Sequence, residues 1–234
     1  MLVLLPPSRG QTAPRSGRRV GLSTLVYPRL RAPREQLLDA VDPNLRTAPA
    51  APAAEVYTGV LYAALGLADL SWDNVLIASA LWGVVRPGDR IPAYRLEIGA
   101  KPAGIGALAA YWREPLRAAL PDRGLLLDLR SGAYAAAWQP RRAQRLLVRG
   151  FTEAADGRRT VITHMVKRVR GEIARLVLAA GGAEHPEEVA AIAAAGGLRV
   201  ELADGVLDVI EAGGESAASK VPGAKADAQV ITPR

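Results

Sequence analysis

No stretch of this chain constrains its fold more than Ser79–Gly99, SALWGVVRPGDRIPAYRLEIG. It sets Arg86, Asp89, Arg95 and Glu97 beside Trp82 and Tyr94, punctuated by prolines and glycines. A core strand cannot hold those four charges unpaired, because burying a lone charge is prohibitive. A plain surface loop has no use for so many large side chains. The segment therefore predicts the wall of a polar pocket. Extended alternation would put Arg95 and Glu97 on one side and Tyr94 and Leu96 on the other. An arginine in such a wall can grip a phosphate or carboxylate with two parallel hydrogen bonds. Tyr57 and Tyr94 would offer ring faces for a stacked base. The plainer alternative is an Arg95–Glu97 or Arg86–Asp89 pair that braces the fold.

Around this segment strands and helices alternate. Leu2–Leu5 is an apolar run stopped by Pro6-Pro7, hence a buried strand. Residues 9–34 have no period and read as an extended surface arm. Two helical turns over Glu35–Val41 end at Asp42-Pro43, and a Pro/Ala connector follows. Val75–Ser79 and Gly124–Leu129 read as strands. Leu108–Leu120 carries Leu108, Tyr111, Trp112 and Leu116 on one helical face. Asp156-Gly157 and Asp204-Gly205 each separate two β-rich runs, a strong hairpin signal. Lys167–Ala180 and Pro186–Ala195 read as helices. The expected fold class is α+β (mixed α/β): one domain over residues 1–212, its mixed sheet flanked by helices. A Gly-, Ser- and Lys-rich tail over 213–234 is expected to be disordered.

With 234 residues, half of them hydrophobic, the chain can bury a substantial core. It has no cysteine, so thiolate redox chemistry is excluded, and its two histidines, His164 and His185, cannot make an all-histidine metal site. No metal and no cofactor is expected. The opening MLVLL is short for a secretion signal and no run is long enough for a membrane helix, so a cytoplasmic protein away from membranes is expected. The net charge of +7 is concentrated before residue 171, the remainder being acidic. Such a body favours polyanionic partners, although an arginine-rich proteome would give the same balance.

Three further clusters could carry chemistry. Pro6-Pro7-Ser8-Arg9-Gly10-Gln11-Thr12 follows a strand and could present Ser8, Gln11 and Thr12 to an anion. Asp128 ends a buried strand, with Ser131 and Tyr134 in the next turn, at the kind of strand end where open α/β sheets place their sites. It is the leading candidate for a general base, with His164 next; capping of the following helix by Asp128 or Ser131 would equally explain the pattern. Lys167, Arg168 and Arg170 open a helix, where cations oppose the macrodipole. Contact with phosphates would explain that arrangement.

These motifs, in this order, resemble the YaaA family of bacterial peroxide-stress proteins. Leu2–Thr12 is similar to the family's opening strand and PPSEGKT-type loop, and Tyr57-Thr58-Gly59 follows. Leu81–Glu97 is similar to LYGxLRPxDxxxPYRLEM, Asp128–Tyr134 to (N/D)LxSxxY, and Thr163–Gly171 to H-x-x-K-x-x-(R/K)-G. The resemblance implies a YaaA-like fold, a role in oxidative stress linked to limiting free iron, and binding of double-stranded DNA. Two departures stand out. Arg9 and Gln11 replace the loop's acid and lysine. The helical stretch that resembles a DNA-binding helical hairpin in other members is reduced to Arg34–Arg46.

Overall fold

The computed structural model describes residues 1–67, 70, 73–161 and 166–212. The expected tail, and Thr163 and His164 of the H-x-x-K segment, lie outside them.

Along the chain come β1 (Leu2–Leu5), β2 (Gly10–Gln11), α1 (Arg31–Val41), β3 (Ala51–Pro52), α2 (Ala53–Val56), β4 (Tyr57–Thr58), α3 (Val60–Leu65), β5 (Val75–Ser79), β6 (Gly83–Val85) and β7 (Arg90–Ile91). Then follow α4 (Leu108–Ala119), β8 (Leu125–Asp128), α5 (Gly132–Ala135), β9 (Gln144–Glu153), β10 (Arg159–Val161), α6 (Val166–Ala179), α7 (Pro186–Ala195), β11 (Val200–Ala203) and β12 (Val206–Ala212).

The main sheet runs β11-β12-β9-β8-β1-β5-β6, with β10 pairing β9 beyond the end of β8. Its middle is parallel: β12 with β9, β9 with β8, β8 with β1, and β1 with β5. Parallel strands covered on both faces need continuous apolar runs, which LVLL, VLIAS and LLLD supply. The two margins are antiparallel, β5 with β6 and β12 with β11. Both Asp-Gly turns form hairpins as the sequence predicts, because a two-residue turn signal acts locally.

Two elements differ from expectation. Residues 9–34 are not merely a surface arm: Val20, Leu25, Val26 and Leu30 are buried, and α1 begins at Arg31, four residues before the expected Glu35, with Arg34 buried in it. The Pro/Ala connector contains β3, which pairs with β7, and a turn of helix, α2.

Helix faces seal the core. Leu108, Trp112 and Leu116 of α4 are buried, as are Val169, Ile173 and Val177 of α6, each set at four-residue spacing. Gly83, the first residue of β6, has φ of +72°, and a Cβ there would meet the Trp112 ring at 2.8 Å. Only glycine satisfies both the turn and the indole.

In chain order, the five parallel strands stand as second, first, third, fourth and fifth across the sheet. That is a doubly wound order, whose direction of winding reverses between β1 and β8. Ligands of such sheets bind outside the carboxyl ends of the strands, at the reversal. Here those ends release Pro6–Gln11 after β1, Ala80–Trp82 after β5 and Leu129–Tyr134 after β8.

Candidate functional site

Three loops meet at this edge. Gly10 and Gln11 pair with Thr58 and Tyr57, the Ser8 hydroxyl donates to the Thr58 carbonyl, and the Thr12 N–H donates to the Val56 carbonyl at 2.9 Å. Gln11 bridges outward: its amide donates to the Ser8 carbonyl at 3.3 Å and accepts from the Tyr94 N–H at 2.8 Å. The polar side chains of PPSRGQ, expected to face an anion, thus bind the loops to one another. Ser8 and Gln11 are positioning groups.

Beneath them lies a tyrosine cluster. The Tyr94 hydroxyl is 2.8 Å from that of Tyr57 and 2.7 Å from Ser79 Oγ, which accepts the Trp82 N–H at 2.9 Å. Tyr62 stacks on Tyr57 with ring centroids 5.7 Å apart and donates to the Pro6 carbonyl at 2.7 Å. Burial raises the pKa of Tyr57, Tyr62, Tyr94 and the half-buried Tyr134, so all four remain neutral phenols. Tyr57 is buried and ringed by other aromatic rings, so it offers no stacking face for a base, contrary to the sequence expectation. Tyr94 is nearly buried but edges the cavity described next.

That cavity, of about 530 Å3, is the pocket the Ser79–Gly99 run predicts, and Leu81, Ala93, Tyr94, Arg95 and Leu96 form one wall. Arg9, Gln11 and Ala13 also line it, with Val41 at the end of α1 and Asp42 and Leu45 just after it. Alternation holds in outline: Tyr94 and Ile98 are buried, whereas Arg95 and Glu97 are exposed. The expected Arg95–Glu97 brace does not form. Glu97 pairs with Arg9 at 2.9 Å, and no partner engages the Arg95 guanidinium among the described residues. The Arg86–Asp89 brace takes another form. Asp89 accepts the backbone N–H groups of Arg86 and Val26 at 2.9 and 3.0 Å, while the Arg86 side chain is exposed.

Asp128 has a role the sequence did not suggest. Its carboxylate takes two parallel hydrogen bonds from Arg130, each 2.8 Å, and a third from Arg145 at 2.8 Å. Burial alone would raise its pKa, but the two guanidiniums outweigh burial and hold it below the ordinary value. A buried carboxylate so held is a weak base, and it is better suited to fixing the loop. Through it Arg130 is oriented to reach the Tyr134 and Trp138 carbonyls at 3.3 and 2.9 Å. Ser131 stands at the N-cap of α5 but is exposed and makes no side-chain cap hydrogen bond.

The basic helix start is mostly neutralised. Arg168 pairs with both Glu172 and Glu211. Arg170 turns inward to the Val148 carbonyl at 3.2 Å, and burial lowers its pKa against the opposing effect of Asp128. Lys167 alone of the three is exposed. The sequence reading missed Glu172 as an acid one turn on, a four-residue spacing that was legible. Glu211 depends on β12 lying beside β9, which no local pattern announces.

Arg34 was also missed. It is fully buried and donates to the carbonyls of Trp82 at 3.0 Å and of Val26 and Val84 at 2.8 Å, tying the irregular arm to β6. Burial lowers its pKa to about 10, opposed by nearby Asp89.

The description of a family model, peroxide stress protein YaaA, matches residues 22–202. This chain belongs to the YaaA family. Among relatives, a UPF0246 protein of Streptomyces coelicolor is 40% identical over 81% of this chain and 87% of its own length. UPF0246 proteins of Corynebacterium efficiens and Corynebacterium glutamicum are 37% and 36% identical, over 88% and 86% of this chain and 96% and 95% of their own lengths. In this YaaA-family chain several of the family's motif segments come together: PPSRGQ pairs with YTG and bonds YRLE, both PPSRGQ and YRLE contribute to the cavity lining, and DLRS is anchored at the end of β8. Among the described residues no helix is long and apolar enough to cross a membrane, and no cluster of three or more His, Asp or Glu could hold a metal ion.

Proposed function

We propose that this chain serves the family's peroxide-stress role in the cytoplasm by binding a nucleotide- or nucleobase-sized anion in the carboxyl-edge pocket. One observation carries the reading. A cavity beside the loops that follow β1 and β5 combines Arg95, unpartnered among the described residues, and the Glu97-paired Arg9 guanidinium with apolar Val41, Leu45, Leu81 and Leu96 and a single acid, Asp42. Such a wall accepts a flat ring, and the guanidiniums take its phosphate or other anionic group. Asp128, Ser8 and Gln11 act on the ligand only through the loops they fix.

Thermal unfolding with added adenosine, AMP and orthophosphate tests the assignment. AMP should raise the melting temperature in a saturable way, more than either half alone, and Arg95→Ala should abolish the shift. Equal shifts in wild type and variant, or none in either, would refute it.

A second reading, double-stranded DNA bound on a basic surface with free-iron damage limited as a consequence, is favoured by the net charge of +7. With Arg168 paired and Arg170 turned inward, the start of α6 offers Lys167 to such a surface, and Arg175 further along the helix is exposed as well. Replacing Lys167 by alanine should then lower the salt slope of duplex binding by about one. An unchanged slope would remove the start of α6 from the surface.

A further inference from the structure

A second concave site shares no residue with the carboxyl-edge pocket. It is a cleft of about 270 Å3 between α4 and the segment that follows α5, and Arg113, Arg117, Trp138, Gln139 and Arg141 line it. Arg113 and Arg117 are four apart on α4 and so share a face; Arg141 enters from the opposite wall. Glu114 is the one acid in the lining, and it already pairs with Arg117 at 2.8 Å. The guanidiniums of Arg113 and Arg141 have no hydrogen bond or ion pair among the described residues.

Both walls are held without using those two groups. On one side, Trp112 donates its indole N–H to the Ala80 carbonyl and Tyr111 its hydroxyl to the Pro33 carbonyl, each at 2.7 Å. On the other, the Asp122 carboxylate accepts the backbone N–H groups of Arg141, Arg142 and Ala143, each at 3.0 Å. It fixes the backbone that presents Arg141 and leaves that side chain free. Trp138 is pinned in turn by Arg130, whose guanidinium lies 5.6 Å from the indole centre and donates to the Trp138 carbonyl at 2.9 Å.

Solvated arginines on a convex surface need no explanation. Arginines lining two rigid walls of one concavity, with its single acid already paired, make it electropositive, and a bound anion relieves their mutual repulsion. The volume sets the scale. At about 30 Å3 per water, about nine waters fill the cleft, room for two or three linked phosphates. A nucleic-acid duplex presents a convex backbone and would call for a broad basic face.

We propose that the cleft between α4 and Trp138–Arg141 binds an oligophosphate group, with Arg113 and Arg141 as its anchors and Arg117 in support. The proposal is independent of the carboxyl-edge assignment.

Tripolyphosphate is the probe, titrated calorimetrically into the full chain at fixed ionic strength beside orthophosphate and sulfate. Saturable one-to-one binding is expected for tripolyphosphate, weakened at least about tenfold in an Arg113→Ala/Arg141→Ala variant and unchanged in Arg95→Ala. Both arginines of the double variant are exposed, so circular dichroism should report an intact fold. Three results would overturn the proposal. They are binding no tighter than sulfate, equal binding by the double variant, and loss in Arg95→Ala instead. Duplex DNA is titrated in parallel. If the double variant loses duplex binding that tripolyphosphate does not compete for, the cleft belongs to a nucleic-acid surface and the oligophosphate assignment falls.

Discussion

Arg34 and Asp128 show what a buried charge needs in this molecule. Arg34 meets three carbonyl dipoles from two segments, Val26 and Trp82–Val84, and its removal would strip each of a buried donor. Arg34→Met keeps the packing of the stem and loses the donors, so it should lower unfolding free energy by roughly 3 kcal/mol or more in urea denaturation. Little or no change would mean the carbonyls find other partners. Asp128 sits between Arg130 and Arg145, and Asp128→Asn should cost about 3–5 kcal/mol, because two guanidiniums lose a buried counter-charge. Its pH signature is specific. The folded pKa lies below the unfolded one, so the stabilisation is full above about pH 4 and is lost as pH falls through the folded value. The asparagine variant should therefore show a flatter acid limb than wild type in unfolding measured from neutral pH downward. An acid limb as steep as wild type would show that Asp128 is not the titrating group. By contrast the Arg9–Glu97 pair is open to solvent on both sides, and Glu97→Gln should change stability by less than about 1 kcal/mol in the same assay.

At the scale of elements, the tightest contact is between α3 and α6. A Cβ on Gly171 would lie 2.3 Å from the Leu61 carbonyl oxygen and 2.8 Å from Ala64 Cβ, so the two helices can approach only through glycine. Gly171→Ala should push them apart and destabilise by about 1–3 kcal/mol or more. Native-state hydrogen exchange should report the loss first in α3 and α6, and protection unchanged there would contradict this packing. The sequence made the elements with local signals legible: the apolar runs of β1, β5 and β8, the faces of α4, α6 and α7, and the two Asp-Gly hairpins. It hid what depends on distant partners. The short α3 has a C-cap glycine, Gly66, but no side-chain N-cap, and it packs closely against α6. The exchange of pairing along β9, from β8 to β10 on one margin, follows from three strands meeting and not from any one of them. Around the site, Leu81 and residues 93–96 of the charged run line a cavity, whereas Arg86, Asp89 and Glu97 do not. The partners of that run did not follow, because Glu97 is paired by Arg9 from a loop far away in sequence.

For the whole molecule, strand order decides where function can lie. The parallel strands release their loops on one edge, where the winding reverses between β1 and β8 and ligands of such sheets bind. The PPSRGQ, YRLE and DLRS segments follow onto that side although they are far apart in the chain. Positive charge is distributed differently from what composition suggested: on α6 Arg168 is paired with two acids and Arg170 turns inward to a carbonyl, whereas Arg95 in the pocket and Arg113 and Arg141 in the α4 cleft remain unengaged among the described residues. The central claim is that the carboxyl-edge pocket takes an amphipathic anion through Arg95. It is tested most directly by isothermal titration of AMP into wild type, Arg95→Ala and Arg113→Ala/Arg141→Ala. The account predicts one-to-one binding in wild type, retained in the double variant and weakened at least about tenfold in Arg95→Ala. AMP binding that Arg95→Ala leaves intact, or that wild type lacks, would contradict it.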